Sequence, residues 1–284
     1  MNKNTFKTFV LLAGLTGLLV AIGGAVSGGT GATVMLMVSL VMVGASYWFS
    51  DTLAIKAARA VPASEAEMPE YFAIVRELTQ RAGMSMPRLY VTPDLQPNAF
   101  ATGRNPQHAA VAVTRGLLEM CDWDELRGVL AHEISHIGNR DILIGSVATA
   151  IATAITYLAY MAQWASIFGG GRDRDGQNPL ALLATALLAP LAAGLLQAAL
   201  SRSREFEADR TGARLIGTGE PLARALAKMD RAARAIPMDV QPAQAQAYIV
   251  NPLSAQRTQL ANLFRTHPTT EERVARLRAG VWAG

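Results

Sequence analysis

A long run without a single charged side chain, from Thr8 to Ser50, constrains this chain more than any other feature. As one helix it would be roughly 64 Å long, about twice the hydrocarbon thickness of a bilayer. The small residues Ser27–Gly31 interrupt the run near its middle. We therefore predict a transmembrane hairpin over residues 8–50. A cleaved signal peptide is the alternative, because Lys3 and Lys7 precede the apolar residues.

A second pair of uncharged segments follows later, at Ile142–Gly171 and Gly176–Ser201. Only the short charged segment Arg172–Asp175 separates them. Their length and their richness in Ala, Leu and Gly predict a second transmembrane hairpin over residues 142–201. A buried helical hairpin in the core of a soluble protein is the alternative.

Composition agrees with a membrane protein and argues against several other classes. Hydrophobic residues make up 51% of the chain and charged residues only 17%. The formal net charge of +4 is modest, so we expect no nucleic-acid partner. A single cysteine, Cys121, excludes an internal disulfide framework and is interpreted as a small buried hydrophobic residue. His108, beside a predicted strand, is interpreted as structural.

The short-loop charges predict the orientation in the membrane. Lys and Arg residues lie before the first apolar run, after it, and after the second hairpin, at Lys3, Lys7, Lys56, Arg59, Arg202 and Arg204. The turn of the first hairpin carries none. We therefore expect a multi-pass protein of the bacterial inner membrane, with both termini and the polar segments in the cytosol.

The polar residues fall into two blocks, 51–141 and 202–284. Apolar periodicity and capping signals predict helices at Met68–Ala82, Asp122–Asn139, Ser201–Ile216 and Pro221–Ala235, and one that starts near Thr269. Short β-branched runs predict strands at Pro87–Thr92 and Ala109–Thr114. The expected fold class is therefore α+β and mainly helical, with both blocks forming one domain at the membrane surface.

The helix that starts at Asp122 contains the segment His132-Glu133-Ile134-Ser135-His136. Residues four apart lie on the same face of a helix, so both imidazoles can bind one metal ion. Glu133 is not placed to share that coordination. It can instead take a proton from the metal's water and return it to a leaving amine. This HExxH pattern is the two-histidine zinc motif of metallopeptidases.

A catalytic zinc needs a third protein ligand and one open position. Glu205 and Asp209 lie four residues apart on the helix predicted after the second hairpin, whereas Glu207 points away from their face. Glu205 can complete a His-His-Glu site, and Asp209 can orient an imidazole from behind. Taken alone, such an acidic pair is usually solvated surface. The predicted hairpin, however, returns the chain to the membrane face on which HExxH lies.

The sequence resembles the HtpX-type membrane metalloproteases, relatives of the CAAX prenyl proteases within the gluzincin class. The resemblance covers nearly the whole chain, and it is carried by HExxH, by EFEAD at 205–209, by PNAFATG at 97–103, by NPLS at 251–254 and by LFRTHP at 263–268. It implies a gluzincin-like zinc peptidase domain with one Zn²⁺ per chain, ligated by His132, His136 and Glu205. Glu133 would be the catalytic acid and base.

Further roles are implied by the resemblance alone. In related enzymes an Asn-Ala-Phe segment forms an edge strand that pairs with the substrate backbone, which here assigns substrate binding to Asn98, Ala99 and Phe100. An ordinary turn with a buried Phe is the alternative. His267 and Arg273 match the pattern HPxxxxR and would stabilise the oxyanion of the transition state. Capping of the last helix by the segment at His267 is the alternative.

The expected function is that of a membrane-bound zinc endopeptidase acting on misfolded or membrane proteins, as implied by the family's role in quality control. No Walker-type motif is present, so we expect cleavage of exposed loops or unfolded segments without a coupled ATPase. The expected partners are protein substrates and the lipid bilayer. Two alternatives remain: a prenyl-protein processing peptidase, and a membrane scaffold that binds zinc structurally.

Overall fold

A computed structural model of the chain describes residues 3–148, 151, 202–240, 245, 247–255 and 268–283. The second predicted hairpin lies largely outside these residues, and His267 lies outside them. The statements below concern the described residues.

The first apolar run is helical throughout, in α1 (Lys3–Ala57), but its direction changes at Gly28. Gly28 has a φ of 58°, a conformation that glycine adopts at little cost. A Cβ atom on Gly23 would collide with the carbonyl group of Gly31. Eight residues of straight helix span about 12 Å, so this contact requires the chain to bend back. The predicted interruption at Ser27–Gly31 is therefore present.

One segment of α1 has the length and apolarity to cross a bilayer. It runs from Gly28 to Ala57 and has a mean hydropathy of 1.8. Large apolar side chains along it are exposed, among them Met37 at 61% and Val41 at 72%. A surface of this kind is stable against lipid rather than water. That both arms of α1 cross the membrane stays a prediction.

In the described parts of the chain, the polar residues form four short strands and six further helices, and another helical stretch begins at Asp141. The strands are β1 (Val61–Pro62), β2 (Arg88–Thr92), β3 (Ala99–Gly103) and β4 (Ala109–Thr114). The helices are α2 (Pro69–Arg81), α3 (Arg115–Met120), α4 (Trp123–Gly138), α5 (Arg202–Ile216), α6 (Glu220–Ala235) and α7 (Thr270–Arg278). The predicted helices and the two predicted strands are confirmed to within one or two residues.

The strands form one sheet in the order β1-β2-β4-β3. Strand β4 pairs in parallel with β2 and antiparallel with β3, so it is central. All six residues of β4 are buried, as expected for a strand covered on both faces. Strand β3 is left at one edge of the sheet and contacts α4.

Helix α4 lies at the centre of the domain, with α2, α5, α6 and β3 packed around it. Gly128 allows α6 to approach closely, because a Cβ atom there would lie 2.9 Å from the Cα atom of Leu222. One hydrophobic core contains residues from both polar blocks, such as Leu130 from the first and Leu226 from the second. The two blocks therefore bring their helices together around α4.

Candidate metal centre

Helix α4 is anchored at its first turn by a capping box at Asp122 and Glu125. The Glu125 backbone N–H donates to Asp122 Oδ1 at 2.8 Å, and the Asp122 N–H donates to Glu125 Oε2 at 3.1 Å. Lys228 on α6 donates to Glu125 Oε2 at 2.6 Å. The buried residues that follow include His132 and Glu133. The HExxH segment therefore lies on a rigid, buried helix.

The three predicted metal ligands are brought together. His132 Nε2 lies 3.1 Å from His136 Nε2, which lies 3.5 Å from Glu205 Oε1. His132 Nε2 is 3.8 Å from Glu205 Oε2. Tetrahedral ligands at about 2.0–2.1 Å from zinc are about 3.3–3.4 Å apart. Among the described residues, the ligand atoms of His132, His136 and Glu205 all lie within 4.8 Å of one another, close enough to hold one metal ion.

Glu205 reaches the histidines because α5 packs closely against α4. The contact point is Gly212, where a Cβ atom would lie 3.0 Å from the backbone nitrogen of His132. Glu205 is seven residues before Gly212 and therefore lies on the same face of α5. Its carboxylate is buried, as is the imidazole of His132. The close helix contact thus sets the distance across the site.

Each imidazole has a carboxylate behind it. Asp209 Oδ1 lies 2.9 Å from His132 Nδ1, and Asp141 Oδ2 lies 3.2 Å from His136 Nδ1. With both Nδ1–H groups donating to carboxylates, the two Nε2 lone pairs face each other and the carboxylate of Glu205. Such a set of acceptors repels itself unless a cation lies between them. The donor set therefore fits a divalent metal.

The pKa values of the two histidines are shifted in opposite directions. Burial lowers the pKa of His132 to about 4, although Asp209 opposes this. Burial also lowers the pKa of His136, but Asp141, Glu205 and Glu133 outweigh it and raise the value to about 9. Without a metal, one proton is thus retained between the carboxylates. Zinc binding has to release that proton.

Arg273 lies behind the site and contacts Asp209, Glu205 and the backbone of Ile249. Its Nε and Nη2 atoms donate to the two oxygens of Asp209 at 2.9 and 2.7 Å. Its Nη1 donates to the carbonyl of Ile249 at 3.0 Å and lies 3.6 Å from Glu205 Oε2. Burial raises the pKa of Asp209, but Arg273 and His132 lower it to about 2. Arg273 is therefore held by Asp209, and its role at the oxyanion stays a prediction.

Glu133 is buried beside the three ligand candidates without taking part in the triangle. Burial raises the pKa of its carboxyl group to about 7, and nearby Glu205 acts in the same direction. His136, Arg273 and a hydrogen bond from the Ala101 backbone N–H oppose this increase. A carboxyl group with a pKa near neutrality is suited both to accept and to return a proton.

Part of the outer edge of β3 is already occupied. The pairing with β4 directs the backbone groups of Ala99, Ala101 and Gly103 away from the sheet. The Ala99 carbonyl accepts from the Ile249 N–H at 3.0 Å, and the Gly103 N–H donates to Ser146 Oγ at 3.2 Å. Less of this edge is therefore open than the resemblance implied.

The other two residues assigned to substrate binding have partners within the chain. The Asn98 side chain bonds both backbone groups of Val250, at 2.8 and 3.2 Å. Phe100 is 2% exposed and packs edge-on against Tyr248 with ring centroids 5.1 Å apart. Phe100 also directs its backbone groups towards β4. Both residues thus position the segment 248–250 against β3, and direct contact with a substrate stays a prediction.

Two residues of the centre were not predicted from the sequence. Asp141 follows the HExxH helix and was assigned no role, although the polar segment at Asn139–Asp141 marks a helix end. Ile249 lies in a stretch without periodicity, and nothing local indicates its contacts with β3 and Arg273. Cys121 is half-buried against the core, and His108 is exposed on a local turn with Asn105.

The fold and the site together define a metal-dependent peptidase of the HExxH type, with a glutamate as third ligand candidate. A family model described as "Peptidase family M48" matches residues 65–281. The chain therefore belongs to peptidase family M48 and is a membrane-bound metalloendopeptidase.

Curated relatives cover almost the whole chain. It is 53% identical over 279 residues to a "Protease HtpX homolog" of Pelotomaculum thermopropionicum, covering 97% of this chain and 99% of the relative. A second protein with that description, from Syntrophobacter fumaroxidans, is 52% identical over 279 residues, covering 96% and 98%.

A solved structure shares the fold. The crystal structure of S. mikatae Ste24p matches with a TM-score of 0.51 and 20% sequence identity. The match covers 96% of this chain and 64% of that chain. At this identity the likeness shows the fold alone.

Proposed function

We propose that this protein is a zinc endopeptidase that cleaves misfolded or membrane proteins at the cytosolic face of a bacterial inner membrane. The observation that carries the proposal is the triangle of His132, His136 and Glu205, with its edges of 3.1–3.8 Å and Glu133 beside it. A zinc ion held there would supply Lewis acidity, which lowers the pKa of a water molecule and polarises a peptide carbonyl.

Glu133 is the proposed acid and base. Its carboxylate takes the proton of the attacking water and then returns it to the nitrogen of the leaving amine. In the metal-free protein, burial raises the pKa of this carboxyl group to about 7. In the structure the Ala101 N–H bonds to this carboxylate, so the proton acceptor and the edge strand face the same space. Substrate bound along β3 would therefore have its peptide bond next to Glu133.

The substrate segment is proposed to lie extended along the outer edge of β3. Since Ile249 and Ser146 occupy the edge at Ala99 and Gly103, and Glu133 accepts from the Ala101 N–H, we place the pairing with substrate at the Ala101 carbonyl. Pairing through backbone groups tolerates many sequences but demands an extended, unfolded segment. This geometry supports a role in removing misfolded proteins. The proposed pairing position thus moves from Asn98, Ala99 and Phe100 to Ala101.

The membrane arrangement is proposed from sequence and from α1. Hairpins at 8–50 and 142–201 would carry the catalytic blocks 51–141 and 202–284, with both termini cytosolic. The bend at Gly28 and the apolar segment Gly28–Ala57 support the first hairpin. Trp48, near the end of that segment, contacts Arg104 just after β3, at 4.8 Å from ring centroid to guanidinium carbon. Trp and Arg are common at headgroup level.

The test is proteolysis of casein, an unfolded reporter, by the detergent-purified protein. We expect cleavage with zinc, and none with chelator or in the Glu133→Gln variant, which should still bind zinc stoichiometrically. Equal cleavage by wild type and Glu133→Gln would refute the mechanism. Zinc binding without any cleavage by the wild type would favour a narrower processing enzyme or a scaffold.

A further inference from the structure

The carboxylate of Asp141 faces the back of His136, one of the metal-ligand candidates. Asp141 Oδ2 lies 3.2 Å from Nδ1 of His136, and Asp141 is buried with 8% of its surface exposed. The Nε2 atom of the same ring faces His132 and Glu205. The carboxylate and the proposed metal position therefore lie on opposite sides of one imidazole.

The spacing of these two residues shows that the contact depends on a break in the helix. Residues five apart in a continuous helix are separated by about 140° around the axis, so their side chains point in different directions. Helix α4 instead ends at Gly138, and a new helical stretch begins at Asp141. The contact between Asp141 and His136 is thus made across a change of direction.

Arg140 provides that change of direction. Its φ is 60°, in the left-handed region that residues other than glycine, asparagine and aspartate rarely occupy. Its N–H donates to the carbonyl of Ile137 at 3.1 Å, which closes the end of the helix. Strained conformations of this kind cost about 1–3 kcal/mol and concentrate at functional sites. Here the strained residue directly precedes the carboxylate that reaches the imidazole.

We propose that Asp141 is a positioning residue for His136 and that the left-handed Arg140 brings it there. By accepting the Nδ1–H, Asp141 fixes the tautomer and the ring plane, so that the Nε2 lone pair points at the metal position. It also makes the imidazole a stronger donor to a cation. Asp209 acts on His132 in the same way, so each histidine has its own carboxylate. This inference rests on the proposed metal site.

The consequence is a specific requirement of metal binding for Asp141. Carboxylates that orient a ligating histidine are typically worth 10–100-fold in metal affinity or activity. Because Asp141 contacts the histidine and not the substrate, its loss is expected to reduce zinc affinity and kcat, while KM for a peptide at saturating zinc changes little.

The experiment measures the zinc dissociation constant of the full-length detergent-purified protein by competition with a chromophoric chelator. We expect Asp141→Ala to bind zinc about 10–100-fold more weakly. Asp141→Asn, whose amide oxygen can still accept the hydrogen bond, should fall between Asp141→Ala and wild type. The matched control is Asp124→Ala, which removes an exposed carboxylate from α4. Asp124 pairs with Arg224 of α6 at 2.7 Å, and its removal should leave the zinc dissociation constant within about twofold of wild type.

A backbone variant tests the second half of the proposal. Arg140→Val places a β-branched residue at positive φ and should weaken zinc binding, whereas Arg140→Gly, at ease in this conformation, should bind more tightly than Arg140→Val. If Asp141→Ala is poorly folded, the Asp141→Asn variant and the two Arg140 variants still decide the question.

The outcomes separate this proposal from the function on which it rests. Wild-type zinc affinity in both Asp141 variants, with zinc lost in Glu205→Ala, would overturn the positioning role and leave the metal site intact. Retention of zinc by Glu205→Ala would overturn the proposed metal site itself. Weaker binding in Asp141→Ala, with partial recovery in Asp141→Asn and none of the effect in Asp124→Ala, would support the positioning role.

Discussion

Removal of the Arg273 guanidinium is expected to destabilise the protein more than any surface change on the same helix. Its Nε and Nη2 atoms hold both oxygens of Asp209, and its Nη1 holds the carbonyl of Ile249. The side chain is 2% exposed, so no water replaces it easily. Arg273→Met therefore leaves the carboxylate of Asp209 buried without its main partner.

The magnitude follows from the burial of this pair. Breaking a buried ion pair by removing one partner costs about 3–5 kcal/mol. For a chain of this size about 1 kcal/mol lowers the Tm by about 2–4 °C, which predicts a decrease of about 6–20 °C for Arg273→Met. Asp209→Asn should act similarly, because it leaves the buried guanidinium with reduced compensation. The double variant should lose about 1–3 kcal/mol less stability than the sum of the two single variants, because neither charge is then left buried without a partner.

The assay is thermal unfolding followed by tryptophan fluorescence in detergent, with chelator present so that zinc binding adds nothing to the Tm. The control is Arg276→Met on α7, whose guanidinium is about half exposed, pairs with Glu272 at 3.2 Å and stacks on Phe206. This change should cost at most about 1 kcal/mol. Strict additivity of the Arg273 and Asp209 changes would refute the reasoning, as would equal effects of Arg273→Met and Arg276→Met.

Three further predictions follow from the site. Asn98→Ala removes both hydrogen bonds to Val250 and should lower stability by about 2–4 kcal/mol, measured as a Tm shift, because buried backbone groups lose their partners. Gly212→Ala adds a methyl group 3.0 Å from the His132 nitrogen and should reduce casein cleavage by about tenfold, less than the 10²-fold expected for a 1 Å misplacement. In metal-free protein, the Tm of wild type minus that of Glu133→Gln should fall as the pH rises from about 4.5 to about 7. The raised pKa of Glu133 means that folding favours its protonated form, an advantage that is complete below the unfolded value and lost above the folded one.

Each of these predictions has a matched control. Asn105→Ala removes a half-buried side chain that accepts from the His108 N–H, and a Tm decrease equal to that of Asn98→Ala would contradict the role of the buried amide. Gly145→Ala adds a methyl group with no atom of the described residues within 4 Å, so an equal loss of cleavage there would show that packing against α4 is not the cause. A Tm difference for Glu133→Gln that is independent of pH, or that rises with pH, would exclude a raised pKa.

Sequence patterns were sufficient where the determining contacts are local. The capping box at Asp122 and Glu125 predicts the start of α4 from residues three apart, and HExxH predicts two ligands from residues four apart. Glu205 was predicted because the second predicted hairpin returns the chain to the membrane face on which HExxH lies. Each of these inferences needs only helix geometry and the order of segments along the chain.

The remaining features depend on contacts that are distant in sequence or on a change of direction. Strand β3 consists of Ala, Phe, Thr and Gly without a β-branched run, so its strand character comes from pairing with β4. Arg273 meets Asp209 from a different helix, which no local pattern indicates. Asp141 was missed because helical spacing puts it on the wrong face of α4, and only the left-handed Arg140 brings it to His136.

The most direct test of the central claim is X-ray absorption at the zinc edge, combined with zinc content, on the purified full-length protein. We predict one zinc ion per chain with nitrogen and oxygen ligands at about 2.0–2.1 Å, an imidazole signature, and loss of the ion in Glu205→Ala. A sulfur ligand at about 2.3 Å, which could come only from a thiol such as Cys121 or from a thioether, would contradict the account. Unchanged zinc content in Glu205→Ala would contradict it equally.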